Sequence, residues 1–502
     1  MNVQLAGFNV DTNVLREMEG ITGKREDLTP EVISASYARI SRDPRSIGEI
    51  RVDSKQEVEK ARKSNSSIIF KMGHHSVAEH TVFNLDVVGL SRYAVEELEK
   101  FRLCSYTEKS QRYITLSDDF VIPPEIKGTK FESLFINTIK MQNEAYVKLY
   151  KALLKYIFKS NLELASNPKN QGLLEGWAKE DARYIVSIAT EAQIGVTVNA
   201  RNLELVLRRF ASHPLVEIQE LGRAIYSEIE TVAPSIILFH EGNDYDRDTY
   251  TRLEKYARKI YNGASLTQEK PVTLVEYTEE GDEIVLASLF YKVLGQNYND
   301  IKTFIYKSSD EELVEIYKTI WRDAQLYDSM LREFEYVNLT YDINLSSSCF
   351  GQLKRHRMST ITTQPYEPDR GITIPASIRE INGEDYFRNV IYQTSEVYNE
   401  IYKELPLVAP YILTNAHKRR VLIRVNAREL YHMSRLREDS HAQWDIRNVV
   451  SLMCQEAKSA MPLTFGLLGG KDKYNEVYKG IFGKEPSVKT VSLPNSHEIK
   501  KK

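Results

Sequence analysis

The stretch that organises this chain of 502 residues lies near its end and reads Asn426-Ala427-Arg428-Glu429-Leu430-Tyr431-His432-Met433-Ser434-Arg435-Leu436-Arg437. Leu430, Met433 and Leu436 recur at intervals of three, which predicts an amphipathic helix. Ser440-His441 then indicates a break, and a second helix is expected to start within Ala442–Asp445. Arg437 is therefore expected at the end of the first helix.

A similar segment occurs earlier in the chain and begins Asn199-Ala200-Arg201-Asn202-Leu203. It is followed by the acidic residue Glu217, as the segment that begins at Asn426 is followed by Asp445. A gap of one residue aligns the two segments. The order of the preceding segments also repeats, so the sequence predicts two copies of one domain of about 240 residues, within the usual size range. We expect domains at 1–265 and 270–502, with a linker in the turn-rich stretch 262–282.

The overall composition excludes several classes of protein. The net charge is -3, from 67 basic and 70 acidic residues, so neither nucleic acid nor an anionic membrane is indicated as the main partner. No apolar run approaches the ~20 residues of a spanning helix, and no secretory signal pattern is present. Three cysteines without paired spacing are typical of reduced thiols, so a cytoplasmic protein without a Cys-rich zinc site is expected.

The predicted elements are long helices with a modest sheet in each half, an α+β fold. Alternating Phe83, Leu85 and Val87 predict a half-buried strand, and Ser91 is expected to cap the helix after it. Gly469-Gly470 is expected to end a helix. Further helices are predicted at 130–165, 173–190, 283–291 and 310–331, and a second strand at 336–345.

Three polar clusters are candidates for chemistry, and each has a structural alternative. Arg355-His356-Arg357 can hold phosphates or an electron-rich ring, or it is a solvated helix end. Ser105–Arg112 combines hydroxyls, a carboxylate and a guanidinium that suit phosphate and ribose, or it is a polar loop. His74, His75 and His80 with Glu79 suit a metal, or they serve as capping and core groups.

Taken in this order, these stretches resemble the flavin-dependent thymidylate synthase family. That family carries Arg-His-Arg, two residues, Ser, four residues, Ser, one residue and Arg, followed later by Asn-Ala-Arg and Ser-His-Ala-Gln-Trp-Glu-Ile. Asn426–Arg447 matches the later block closely.

The two copies depart from the family pattern in complementary ways. The first copy has Lys100-Phe101-Arg102 in place of Arg-His-Arg but keeps the polar run at 105–112 and Arg183. The second copy keeps Arg355-His356-Arg357 and Arg437, but Thr363–Glu367 replaces the polar run and Pro410 replaces the arginine. In this family the sites lie between subunits of a tetramer, so the resemblance implies composite sites between the halves and a homodimer that acts as a pseudo-tetramer.

The resemblance implies reductive methylation of dUMP to dTMP, with FAD as cofactor and methylenetetrahydrofolate and NADPH as co-substrates. Arg437 is then the catalytic residue, since a fixed guanidinium stabilises negative charge on the uracil ring. Other possibilities are a flavin enzyme for another pyrimidine-like substrate and a non-catalytic flavin- or nucleotide-binding homologue. The implied dUMP-binding residues are Gln352, Arg355, Glu108, Lys109, Ser110, Gln111, Arg112, Arg183 and Arg437. The implied FAD-binding residues are Ser76, Glu79, Glu108, Arg355, His356, Arg357, Asn199, Arg201, Asn426, Arg428 and His432.

Overall fold

The computed structural model describes residues 1–11, 14–15, 28–40, 43–56, 58–71, 73–112, 119–261, 263 and 270–487. These residues form two compact units. Unit 1 contains the described residues up to 263 together with Ser346–Arg355 and Tyr366–Lys418. Unit 2 contains the described residues of 270–345, His356–Pro365 and 419–487. Unit 1 therefore includes two segments that belong, by sequence, to the second copy.

Each copy contributes one four-stranded sheet, and the strand order is the same in both. The first sheet runs β1-β2-β4-β3 and the second β5-β6-β8-β7, so each begins with its first two strands and reverses the last two. The pairings of β1 with β2, β2 with β4, β3 with β4, β5 with β6 and β7 with β8 are antiparallel, and a register shift interrupts the first, second and fourth of them. The strands are β1 (Asn2–Phe8), β2 (Val82–Ser91), β3 (Ser105–Glu108), β4 (Glu191–Asn199), β5 (Val272–Tyr277), β6 (Asn338–Ser346), β7 (Thr360–Thr363) and β8 (Lys418–Asn426).

Helices make up most of the remaining described chain, which confirms the α+β prediction. The segments Ser67–Lys71 and His75–His80 are a π-helical and a 3₁₀ turn. The α-helices are α1 (Glu31–Arg39), α2 (Ile47–Gln56), α3 (Val58–Ser66), α4 (Arg92–Leu98), α5 (Glu132–Ser160), α6 (Leu162–Ala165), α7 (Gln171–Ala182), α8 (Ala200–Ala211), α9 (Val216–Glu230), α10 (Asp244–Ile260), α11 (Gly281–Leu294), α12 (Tyr298–Lys307), α13 (Asp310–Trp321), α14 (Ser347–Leu353), α15 (Ala376–Glu380), α16 (Glu384–Tyr402), α17 (Ala427–Arg437), α18 (Trp444–Ala460) and α19 (Gly470–Phe482).

The structure confirms the predicted strand at Phe83–Val87, the Ser91 cap and the helix that ends at Arg437. Phe83, Leu85 and Val87 are buried on one face of β2, and Ser91 caps α4 by accepting a hydrogen bond from the backbone N–H of Ala94. Arg437 is the last residue of α17, and α18 begins at Trp444 after the expected break. Within the described residues, no helix is long and apolar enough to cross a membrane.

Two predicted helices end early. The helix expected over 173–190 stops at Ala182, because the backbone beyond it pairs with residues 411–416 instead of continuing the helix. The helix expected over 310–331 stops at Trp321, and the Asp328 carboxylate accepts a hydrogen bond of 2.9 Å from the Gln325 backbone, which stabilises a turn.

Two other predictions were wrong. Gly469-Gly470 begins α19 rather than ending a helix: Gly470 has a φ of +65°, and an added Cβ would lie 2.9 Å from that of Glu438. The stretch 262–282 includes strand β5, because its backbone finds partners on β6. Residues 262 and 264–269 of that stretch lie outside the described residues.

Inside unit 1, equivalent segments of the two copies pair with each other. Ser187 and Thr414 form an antiparallel bridge, and the Ile188 and Asn415 backbone N–H groups donate to Leu413 and Val186 at 2.8 and 2.9 Å. Ser187 and Thr414 stand the same distance before Asn199 and Asn426, so the pairing is symmetric with respect to the repeat. The buried core accordingly combines first-copy side chains such as Phe135 with second-copy Tyr398 and Tyr411.

Candidate functional site

Arg183 is a buried cation, and two of its nitrogens have no hydrogen-bonding partner among the described residues. It opens the 3₁₀ turn Arg183–Ile185, is 5 % exposed, and its Nε and Nη2 find no acceptor among the described residues. Burial lowers the pKa of this guanidinium, and the nearby Arg92 and Arg112 act in the same direction. A buried charge of this kind is costly unless an anion compensates it, so the arrangement suits an anionic ligand.

Arg112 and Gln111 are held next to this cation by polar contacts. Arg112 forms an ion pair with Glu180 through Nε, and Glu180 also acts electrostatically on Arg183. Gln111 is buried, and its side-chain carbonyl accepts a hydrogen bond of 3.1 Å from Asn415. The Ser110 hydroxyl accepts a hydrogen bond of 3.2 Å from the Arg112 backbone. The end of the polar run thus adjoins Arg183, as a phosphate site requires.

Glu108 brings first-copy and second-copy residues together within unit 1. Glu108 is the last residue of β3, and its carboxylate forms ion pairs with Arg92 Nη1 at 3.4 Å and Arg355 Nη2 at 3.5 Å. Although burial alone would raise the pKa of Glu108, the charges of Lys354, Arg92 and Arg355 lower it. The carboxylate is therefore ionised and surrounded by three cations. The first half of the polar run forms strand β3 rather than a loop, since it pairs with β4.

A cleft adjoins this carboxylate on the face of the first sheet. It has a volume of about 470 Å³ and is lined by Glu108, Lys109 and Thr107 together with residues of β2 and β4. This volume falls within the range of roughly 300–1,000 Å³ that is usual for small-molecule sites. Gln352 lies half-buried on α14, which also belongs to unit 1.

Two residues that the sequence did not indicate hold this cluster together. Arg92 donates from Nε to Asn415 Oδ1 at 3.0 Å and from Nη2 to the Ser347 carbonyl at 3.1 Å. Asn415 in turn donates to the Arg183 carbonyl at 3.0 Å. Arg92 depends on Gly351, because a Cβ there would lie 2.2 Å from Nη2. The one signal in the sequence was an arginine in the first turn of a helix whose first turn is otherwise apolar or aromatic.

In unit 2, His356 links Arg437 to Glu429. Arg437 Nε donates to His356 Nε2 at 3.0 Å, and His356 Nδ1 lies 3.2 Å from Glu429 Oε1. Burial lowers the pKa of the imidazole, the bond to Glu429 opposes this shift, and Arg437 adds to it. The exposed His432 presents its ring edge-on to His356, with the centroids 6.0 Å apart. Arg357 lies on the exposed surface of the same unit.

The two Asn-Ala-Arg segments occupy equivalent positions in the two copies. Asn199 and Asn426 cap α8 and α17 by accepting hydrogen bonds from the backbone three residues later. Each arginine forms an ion pair with a glutamate of a 3₁₀ turn in its own copy, His75–His80 in the first and Arg332–Tyr336 in the second. These pairs are Arg201 with Glu79, and Arg428 with Glu335 at 2.8 Å. The asparagines are thus explained by capping, and their assignment to FAD stays a prediction.

The histidine-rich segment lies on the surface of unit 1. His75–His80 is a 3₁₀ turn in which Ser76 is exposed. The His75 ring makes an edge-to-face contact with Phe70, and the His80 ring makes one with Tyr37. Within the part of the chain that the structure describes, no group of three or more His, Cys, Asp or Glu side chains is arranged to hold a metal ion. Cys104, Cys349 and Cys454 are buried free thiols.

Comparison with known proteins shows which family the chain is similar to. A model for the thymidylate synthase complementing protein family matches residues 26–235 and again 273–463. The UPF0159 protein of Chlamydia pneumoniae is 24% identical over 430 residues, which cover 82% of this chain and 81% of that protein. A flavin-dependent thymidylate synthase of Clostridium tetani is 33% identical over 216 residues, which cover 42% of this chain and 82% of that enzyme.

Among solved structures, ThyX from Helicobacter pylori in complex with FAD and dUMP covers 48% of this chain and 100% of its own. The sequence identity is 17% and the TM-score 0.31, too low to support an argument about ligands. The two family matches confirm the predicted resemblance and the tandem copies.

Proposed function

This chain belongs to the thymidylate synthase complementing protein family, which includes the flavin-dependent thymidylate synthases, and we propose that it converts dUMP to dTMP by FAD-dependent reductive methylation. Methylenetetrahydrofolate supplies the carbon and NADPH the reducing equivalents. The observation that carries the proposal is Arg183, whose buried guanidinium keeps two nitrogens without an acceptor among the described residues. A nucleotide phosphate supplies the missing charge and acceptors.

Unit 1 offers the other groups that hold the nucleotide. Arg112, which acts electrostatically on Arg183, and Ser110, which is bonded to the Arg112 backbone, bind the phosphate, while Lys109 and Gln111 contribute further donors at the same end of the polar run. Glu108, kept ionised by its three cations, accepts from a ribose hydroxyl. Gln352 and Arg355 contribute from the second copy, so the proposed phosphate and ribose contacts come from both copies although these residues share one unit.

FAD fits the exposed guanidinium groups that follow α14. Arg355 is 48% exposed in its side chain and Arg357 is exposed, and guanidinium groups match a diphosphate in charge and shape. We propose that these two and His432 contact FAD, as do Ser76, Glu79 and the two Asn-Ala-Arg segments, while the buried His356 acts through its bond to Arg437. When bound, the flavin supplies the redox chemistry, and the protein supplies position and charge.

Arg437 has the role of stabilising negative charge that develops on the pyrimidine ring. A guanidinium stays charged at every physiological pH, and Arg437 is held in place through Nε by His356. A positioned cation stabilises an anionic transition state without having to reorganise.

The first experiment is the visible absorption spectrum of purified chain supplemented with FAD and titrated with dUMP. We expect bound flavin whose bands shift as dUMP binds. Arg183→Leu should retain the flavin and need far more dUMP for the same shift. Failure to bind FAD after reconstitution would refute the enzyme proposal and favour a non-catalytic homologue.

A second candidate is a flavin enzyme for another pyrimidine nucleotide. The contacts described around Arg183 select a phosphate and leave the base unspecified. In addition, the second-copy run that replaces the family motif starts at the last residue of β7, and its buried Tyr366 donates a hydrogen bond of 2.9 Å to Glu96. A screen in which another nucleotide supports flavin reoxidation while dUMP does not would establish this alternative.

We also propose that the chain assembles as a homodimer equivalent to the family's tetramer. The tandem match of the family model supports this, since one chain supplies two family domains. The mass of the protein in solution decides it, and a species with the mass of a single chain would contradict the dimer.

A further inference from the structure

The buried contacts of His356 define its protonation. A guanidinium has donors and no acceptor, so Arg437 Nε must donate to His356 Nε2 at 3.0 Å. Nε2 is therefore the unprotonated nitrogen of a neutral ring, and the proton resides on Nδ1. The acceptor for that proton is Glu429 Oε1 at 3.2 Å. Both partners of this second bond are nearly inaccessible, with His356 3% and Glu429 7% exposed.

We propose that Glu429 is a positioning residue: its carboxylate holds His356 in the Nδ1–H tautomer and thereby aims the Arg437 guanidinium. Glu429 itself touches neither substrate nor cofactor in this assignment. The inference rests on the proposed function only for what Arg437 does, because the tautomer is a property of the protein alone.

The helix geometry explains how one side chain can govern another so far along the chain. Glu429 is the third residue of α17, where its N–H donates to the Asn426 cap at 2.8 Å and the helix N-terminus favours a carboxylate. Arg437 is the last residue, eight positions later, or roughly 12 Å along the axis. His356 bridges the gap, and the Ser359 hydroxyl bonded to its carbonyl helps to fix the residue that presents the ring.

The first copy supports this assignment, because neither the histidine nor the glutamate is retained there. At the position of His356 it has Phe101, which packs edge-on against Phe210 with centroids 5.7 Å apart. At the position of Glu429 it has Asn202, which bonds Asn199 at 2.8 Å. Arg209, which the one-residue gap aligns with Arg437, pairs with Asp246 at 3.0 Å instead. Where the imidazole is absent, the carboxylate is absent and the arginine points to another partner.

The test is solid-state ¹⁵N NMR of the full-length chain labelled at histidine, with the His356 signals identified by their loss in His356→Asn. We expect protonated Nδ1 and unprotonated Nε2 in the wild type. Glu429→Leu should make the Nε2–H form the major one. Glu429→Gln should keep the wild-type tautomer, because its carbonyl can still accept the Nδ1–H. Asn202→Leu, the matched control in the first copy, should also keep it. A wild-type Nε2–H form, or an unchanged tautomer in Glu429→Leu, would overturn the proposal.

Turnover provides the second readout. Removing one transition-state donor costs about 10²–10³ in kcat, so misdirecting Arg437 through Glu429→Leu should lower kcat by about 10- to 100-fold with little change in KM for dUMP. A shifted tautomer with wild-type kcat would refute the positioning role. If Glu429→Leu does not fold, Glu429→Asp withdraws the carboxylate by one methylene and should shift the tautomer in the same direction. If the wild-type chain lacks turnover, only the proposed function is refuted. The role of Glu429 in setting the tautomer is still decided by the NMR measurement.

Discussion

Glu99 and Lys354 stand at equivalent positions of the two copies, each directly before the Arg-His-Arg position, and they form an ion pair of 3.0 Å with each other inside unit 1. Their side chains are 4% and 5% exposed. Two identical residues at these positions would bring like charges together. The difference between the copies therefore turns a repulsive contact into an attractive one.

Lys354→Met should destabilise the protein by about 3 kcal/mol, because Glu99 would remain as a buried charge without its cation. The double variant Lys354→Met with Glu99→Met should recover most of the loss, since both charges are then removed. The free energy of unfolding in urea measures both effects.

The exposed ion pair of Lys130 with Glu404 is the matched control. Lys130→Met should cost less than about 1 kcal/mol, because solvent screens an exposed pair. A loss for Lys354→Met as small as that of the control would contradict the buried pair's role.

Arg183→Leu should leave the stability unchanged or slightly higher, because the wild type buries a guanidinium with two nitrogens that find no acceptor among the described residues. The same change should weaken dUMP binding by about 10- to 100-fold, the value of one or two charge-assisted hydrogen bonds. The dUMP-dependent shift of the flavin bands measures affinity. Arg223→Leu, an exposed arginine in α9, should change neither quantity. Undiminished dUMP affinity in Arg183→Leu would remove Arg183 from the site.

Arg437→Ala should abolish turnover and retain bound FAD, because the substitution removes a charge required in the transition state. Arg209→Ala is the control from the first copy, where the arginine pairs with Asp246 and should be dispensable for turnover. Steady-state kinetics and the flavin spectrum report the two quantities separately. Wild-type turnover in Arg437→Ala would exclude the catalytic role.

His417 should make the protein less stable in mild acid. It is fully buried, which lowers its pKa to about 4, and its Nδ1 accepts from the Thr414 backbone at 2.9 Å. Because the unfolded chain takes up the proton near pH 6.5, stability is complete above that pH and falls as the pH drops towards 4. The loss at pH 5 should be about 2 kcal/mol.

His417→Asn keeps an acceptor for the Thr414 N–H and does not titrate in this range. Its urea midpoint should vary less between pH 7 and pH 5 than that of the wild type. Equal pH dependence of the two proteins would show that His417 is not the group responsible.

The elements predicted well are those whose signal lies within a dozen residues. β2, α4 and α17 follow from apolar spacing and from caps such as Ser91 and Asn426. The predictions that were wrong concern segments whose backbone partners are distant. Strand β5 lay unrecognised in an apparent linker because its pairing with β6 is more than 60 residues away, and Gly470 is explained only by the closeness of Glu438.

The sequence by itself determined the repeat, the helices and strands with strong periodicity, and the family, because those depend on the order of residues along the chain. Only the tertiary structure decided that Arg355 meets Glu108 in one unit while His356 meets Glu429 and Arg437 in the other. It also supplied Arg92, whose bond to Asn415 spans 323 positions. Such contacts arise from packing between distant segments, and residue spacing along a chain carries no record of which distant side chain completes a buried charge or hydrogen bond.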